Sequence, residues 1–393
     1  MYPEPSAEIL LLLDSVRFAL HLIDADEFTN RLPQTLDWPE FWKLVHAHGL
    51  SGPVVSAFTA ANIPIPDELK SARSASAMRS LFLAGQLIEI LRLLDSHGIP
   101  AMAFKGPVLS VDAWADPAMR AAGDLDLLLH PPDMPAARNL LLSRGFEPIF
   151  PTSTPAEAKY LSSLAGKPLD KYVKSHSEHH LLRAADRLNI DLHSSIALRQ
   201  FALQLDYDRL WKNSRTILLA GTPISTLGLE DLLLVLCINA AKDCWTRIDR
   251  ICDIAALTVR HPQIDFEILI DQARRAGALR MTLVTLLLAR DLLQLPLPAS
   301  VNHAIDRDDS VIDLANETIR GISSNPQSPA HLAEFRLQLR ARDQLRGKIR
   351  YALCQCYPTV GDWSALPLPP MLGFLHVLFR PIRLLLQPDR KSP

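Results

Sequence analysis

From Ile99 to Phe150 the hydrophobic pattern changes period several times in quick succession, and this alternation constrains the fold more than any other stretch. IPAMAF is short and apolar, Lys105-Gly106 makes a turn, and PVLSVDAW begins a helix with Pro107 in its first turn. DLDLLL then alternates as a strand does, PPDMPAARNLLLSRG reads as a helix opened near Asp133 and closed by Gly145, and FEPIF is another short strand. Strand, helix, strand, helix, strand is an α/β unit. HHLLR and NIDLHSSI, separated by the turn-like AADRL, predict a further strand pair. Between them and the first unit, Pro151 to Ser177 is polar and proline-containing, which predicts a loop or a mobile helical insertion.

On both sides of this unit the period is helical. Ala7 to about Gly98 carries apolar residues at three- and four-residue spacings, with breaks at Asn62 to Pro66 and near Gly52-Pro53, and SLFLAGQLIEILRLLDSHG closes at Gly98. Beyond Leu198 the helical period is expected to persist to about Tyr351, before a proline-rich stretch from Pro358 to Pro370. The expectation is an α+β chain in three parts: a helical lobe over 1–98, an α/β core over 99–198 and a second helical lobe over 199–393. A length of 393 residues agrees with more than one core.

Composition excludes several classes. A formal charge of −2 lacks the basic balance that broad nucleic-acid affinity needs. MYPEPSAEILLLLDSV lacks the charged start and cleavage site of an export signal, and MLGFLHVLF is too short to cross a bilayer, so no integral membrane insertion is expected. Five cysteines show no metal-binding spacing, and Cys237, Cys244 and Cys252 recur at intervals suited to a buried helical face. A reduced, cytoplasmic protein is the expectation.

In a strand, Asp124 and Asp126 point to one face and Leu125 and Leu127 to the other. Adjacent carboxylates repel unless a cation sits between them, and Mg²⁺ is commonly held by one or two carboxylates together with substrate phosphates. Asp191 shares a face with His193 and supplies a third carboxylate if its strand lies beside DLDLLL. Three carboxylates around about two metals, roughly 3.5–4 Å apart, can activate a hydroxyl and steady a leaving pyrophosphate. The Lys105-Gly106 turn suits the same task, because glycine lets the backbone approach a phosphate, the helix opening at Pro107 aims unpaired N–H groups at it, and Lys105 adds a mobile cation. A lone Asp-x-Asp is common in solvated turns; its order and spacing with Lys-Gly make this one a candidate site.

KGPVLSVDAWADPAMRAAGDLDLLLHPPDMPAARNLLLSRGFEP resembles an uncharacterised nucleotidyltransferase-like family whose members carry a Lys-Gly turn, an Arg before an Asp-x-Asp strand and a Gly-aromatic end to the next helix. IDLHSS, LCINAAKDCWTRIDRICDIAAL, YPTVGDW and FRPIRLL resemble its later segments. That family is similar to the polymerase β type of nucleotidyltransferase. The resemblance implies a small mixed β-sheet core and transfer of a nucleoside monophosphate from an NTP with two Mg²⁺ ions to an unidentified acceptor, whether small molecule, peptide or RNA. It implies that Asp124, Asp126 and Asp191 are the catalytic metal ligands and that Lys105 and Gly106 touch the phosphates. Most of that superfamily has Gly-Ser in the turn and a shorter gap to the aspartates. The Lys-Gly form resembles abortive-infection nucleotidyltransferase toxins, which act on RNA acceptors. A noncatalytic nucleotide-binding regulator and a toxin acting on tRNA are the alternatives.

Arg120 has two readings, a contact to the triphosphate or an ion pair with Asp124 or Asp116. Asn239, Lys242, Asp243, Thr246, Arg250 and Asp253 fall within one arc at 100° per residue, as a solvated helix face would. With the resemblance, Lys242 becomes a second phosphate ligand and Asp253 a residue that positions a basic neighbour. His176, His179, His180 and His193 match no compact zinc pattern, and His193 reads as a neighbour that orients Asp191. Arg336, Arg340, Arg342, Arg346, Lys348 and Arg350 form a basic helical run, either a solvated face or a guide for an anionic acceptor. The apolar C-terminal segment with Arg380 and Arg383 either docks on the helical lobe or touches a membrane surface.

Overall fold

The computed structural model describes residues 5–149, 178–196, 201, 203–324, 331–356, 362, 365–366, 368, 372 and 375–386. The expected 151–177 insertion lies outside them. Five helices come first, α1 (Ala7–Ala19), α2 (Ala25–Asn30), α3 (Trp38–Ala47), α4 (Ser51–Ala60) and the long α5 (Asp67–Ser96). Ser6, Asp24 and Asp37 cap the first three by accepting from backbone N–H groups one turn on.

Next come β1 (Ala101–Ala103), α6 (Gly106–Trp114), β2 (Asp124–Leu129), α7 (Met134–Leu142), β3 (Glu147–Ile149), β4 (Glu178–Arg183) and β5 (Leu188–His193). The strands form one mixed sheet in the order β1-β2-β5-β4-β3. Only the β2–β5 pair is parallel. Alternation sorts the two faces: Leu125, Leu127, Ile190 and Leu192 pack against Leu83, Leu87 and Leu94 of α5 and Ala137 and Leu141 of α7 in one apolar cluster. The other face carries the polar residues of β2 and β5, flanked at one end by Met102 and Leu128, which join the larger apolar cluster.

After the sheet, α8 (Tyr207–Lys212) leads into a hairpin, β6 (Arg215–Leu219) and β7 (Thr222–Thr226). The helical period expected beyond Leu198 is interrupted here. The turn residues Ala220 and Gly221 both take positive φ, +47° and +77°, as a two-residue hairpin turn demands, and Ile217, Leu219 and Ile224 complete the sheet-side cluster.

Helices then run on as α9 (Leu229–Lys242), α10 (Ile248–Arg260), α11 (Phe266–Ala276), α12 (Leu279–Leu293), α13 (Ala299–Asp306), α14 (Asp309–Ser324), α15 (His331–Arg340), α16 (Leu345–Gln355) and α17 (His376–Leu386). The single arc expected from Asn239 to Asp253 does not exist, because the helix breaks between α9 and α10. Cys244 and Trp245 are both left-handed at the break, and the fully buried Trp245 donates its indole N–H to Thr285 at 2.7 Å. Burying that large ring outweighs continuing the helix. Cys237, Cys244 and Cys252 are buried as expected.

The basic run is likewise split between α15 and α16. Arg342 at the break is buried, donates to the carbonyls of Gln338 and Phe201, and lies 3.8 Å from the Tyr351 ring centre; Arg340 pairs with Glu317. Among the described residues no helix is long and apolar enough to cross a membrane.

Candidate functional site

The parallel pairing of β2 and β5 sets Asp126 directly opposite Asp191, with Asp124 opposite Asn189 on the same sheet face. This is the juxtaposition that the separate strands required. β4 adds a third row, in which His180 stands opposite Asp191 and Glu178 opposite His193.

Each of the two paired carboxylates has its own histidine. His193 Nε2 lies 3.1 Å from Asp126 Oδ1, and His180 Nδ1 lies 2.7 Å from Asp191 Oδ1. Sequence reasoning assigned His193 to Asp191, whereas the register hands it to Asp126. It passed over His180 and Glu178 as partners altogether; their alternation in EHHLLR was visible, but their neighbour on the next strand was not. His179 alternates to the opposite face, and His176 lies outside the described residues. Ligand atoms of Asp126, Asp191 and His193 all lie within 4.8 Å of one another, and the same holds for Glu178, His180 and Asp191.

The turn after β1 presses against this row. Gly106 opens α6 with φ +55°, and a Cβ there would stand 2.6 Å from the backbone carbonyl oxygen of Asp124. Only glycine permits that approach. Lys105 reaches forward and places Nζ 3.3 Å from Asp126 Oδ1.

Behind the turn, Arg120 donates from Nε to both oxygens of Asp253 at 3.0 and 2.8 Å, and its Nη1 reaches the Gly106 carbonyl oxygen at 3.4 Å. Trp114 Nε1 donates to the same Asp253 carboxylate at 3.0 Å. Arg120 therefore pairs with neither Asp124 nor Asp116; α10 supplies its partner, and Asp253 is the residue that positions it. Burial works against the Arg120 charge, but Asp253 outweighs it and raises the guanidinium pKa.

Electrostatics separates the carboxylates. Burial, then the charges of Asp126 and Asp191, hold Asp124 above the usual carboxylate range against the opposing pull of Lys105 and Arg120. For Asp126, burial also acts upward, but Lys105 and the His193 hydrogen bond overcome it and lower its pKa. At the end of α9, Lys242 lies over the Phe201 ring, 5.4 Å from its centre. Burial and the charge of Lys105 lower its pKa, opposed by Glu178, Asp243 and Asp126. Lys242 thus shares the field of the Lys105–Asp126 pair.

Residues 34–294 match the sequence model of a protein family described as uncharacterised nucleotidyltransferase. The chain belongs to that family. The match takes in α3 to α12 whole, and with them the residues of the candidate site described above, while α13 to α17 lie beyond it. No curated protein and no solved structure matches the chain.

The candidate site sets carboxylate oxygens on adjacent strands: Asp126 and Asp191, with His193, have ligand atoms within 4.8 Å of one another, and Asp124 lies on the same sheet face outside that group. Asp124 is held above its normal range by burial and by the charges of Asp126 and Asp191. Oxygen donors so placed fit a divalent cation.

Proposed function

We propose that this chain transfers a nucleoside monophosphate from an NTP to an acceptor hydroxyl, amine or phosphate and releases pyrophosphate. The observation that carries the reading is Asp126 paired opposite Asp191 across the parallel strands, with Asp124 beside them on the same face. In this reading Asp124, Asp126 and Asp191 hold Mg²⁺, as two ions. Bound there, Mg²⁺ supplies charge neutralisation for the phosphates and lowers the pKa of the acceptor.

The chain's own residues do the rest. Lys105 binds phosphate oxygens, and Gly106 lets the backbone come close to them. Lys242 adds a second cation on the α9 side. Arg120 acts through the Gly106 carbonyl, holding the turn, so that its role is to position the phosphate site. The acceptor heteroatom attacks the α-phosphorus, the bond to the bridging oxygen breaks, and pyrophosphate leaves. The acceptor proton passes to Asp191 or to water.

The test incubates the protein with each labelled NTP, Mg²⁺ or Mn²⁺ and a fractionated cell extract, beside Asp124→Ala. Label transfer and pyrophosphate release by the wild type, lost in the variant, support the reading. NTP binding without release of pyrophosphate in any fraction overturns it in favour of a noncatalytic nucleotide-binding regulator.

A further inference from the structure

Eight of the seventeen exposed large hydrophobic residues in the described structure fall after residue 331. They concentrate on α16 and α17, beyond the segment that matches the family. On α16, Leu345, Ile349 and Leu353 are 71, 53 and 67 % exposed, and their four-residue spacing stacks them on one helix face. Tyr351 faces the other way, buried against Arg342 and Phe335. The outward stripe is therefore not a poorly packed core face.

The second helix also exposes apolar residues. Arg380 and Arg383 of α17 point inward to the fully buried Asp362, each at 2.7 Å, and Arg380 also donates to the Gln355 carbonyl at the end of α16. With its charges drawn in, α17 leaves Leu378 and Ile382 outward. Among the described side chains of this helix, the polar His376, Arg380 and Arg383 face inward while Leu378 and Ile382 meet solvent, the reverse of a helix that caps a core.

Charge decides what such a face meets. Neither helix contains an acidic residue. Arg346 and Arg350 follow Leu345 and Ile349 in the chain, are exposed, and have no ion-pair partner among the described residues. An aliphatic stripe edged by unpaired cations is the arrangement by which a helix lies in the interface of an anionic bilayer. A second copy of the chain would set these arginines against their own counterparts. A nucleic acid would take the arginines and leave the leucines without a role.

We propose that the outward face of α16 docks the protein on an anionic lipid surface, peripherally, with Leu345, Ile349 and Leu353 entering the headgroup region and Arg346 and Arg350 meeting lipid phosphates. This stands apart from the nucleotide chemistry and does not depend on it.

The test is co-sedimentation of the full chain with vesicles of phosphatidylcholine alone and of phosphatidylcholine with phosphatidylglycerol. The expected result is binding to the anionic vesicles only, weakening as salt rises. Arg346→Glu/Arg350→Glu and Leu345→Ser/Leu353→Ser should each reduce partitioning by about tenfold or more, with melting temperature unchanged because all four side chains are exposed. Three outcomes overturn the proposal: no binding to either vesicle, equal binding to both, or anionic binding that neither variant reduces. A dimer of the wild type in size-exclusion chromatography, lost in the leucine variant while vesicles go unbound, identifies a second copy as the occupant and also overturns it. Should the leucine variant fail to fold, the charge variant decides.

Discussion

Replacing Gly106 with alanine tests how closely the Lys105-Gly106 turn is pressed onto the strand of aspartates. Two costs follow from the geometry. At φ +55° an L-residue sits in the left-handed region, at roughly 1–2 kcal/mol. The added Cβ would also stand 2.6 Å from the Asp124 carbonyl oxygen, so turn and strand must separate by about 0.8 Å to restore an ordinary van der Waals distance. Overpacking of this kind costs a further 1–3 kcal/mol or so. A shift near 1 Å between binding groups can reduce catalysis by about 10²-fold. Gly98→Ala is the matched control, since Gly98 has φ +68° but nothing within 4 Å of the added Cβ. Urea denaturation should show Gly106→Ala less stable than Gly98→Ala, and NTP binding with Mg²⁺ should weaken in the first alone. Equal stability of the two variants, with nucleotide binding at the wild-type level in both, would refute the close approach.

Asp253→Asn should destabilise the protein by about 3–5 kcal/mol in urea melts, because it leaves the Arg120 guanidinium buried without its counter-charge. Arg120→Lys should not rescue activity, since a single ammonium cannot hold both Asp253 oxygens and the Gly106 carbonyl together. Asp124→Asn should raise the melting temperature in EDTA, because burial and two acidic neighbours make its charge unfavourable, and should abolish the further rise that Mg²⁺ gives the wild type; an unchanged Mg²⁺ response would remove Asp124 from the metal site. His48 gives the pH dependence. Burial pushes its pKa down from 6.5 to about 4, its Nδ1 accepts from the Ile248 N–H, and its buried Nε2 has no partner among the described residues. The unfolded chain therefore binds the extra proton between those values, so stability should rise with pH from about 4 to about 6.5, by on the order of 3 kcal/mol, and His48→Ala should flatten that slope in urea titrations.

Some features were legible because they follow from local stereochemistry. The strand–turn–helix–strand order from β1 to β2, the strand pair β4 and β5, and the closure of α5 before Gly98 all appear where the hydrophobic period sets them. The β6–β7 hairpin was hidden because Ala220, rather than asparagine, takes the first positive-φ turn position, and ILLA beside it imitates a helical run. The break after α9 was hidden for a different reason. Nothing local forbids a helix through Cys244 and Trp245; the packing of Trp245 against α12 does.

The same division runs through the site. A period of two residues put Asp124 and Asp126 on one face, and a glycine after Lys105 allowed a close backbone approach, before any fold was known. Which strand lies beside β2, which histidine serves which aspartate, and that Arg120 answers to Asp253 on a helix more than a hundred residues later were decided only by tertiary structure. Pleat and backbone sterics act between adjacent residues and can be read along the chain. Register and ion pairing are set by which faces the apolar residues bury together, and that choice is made by the whole molecule.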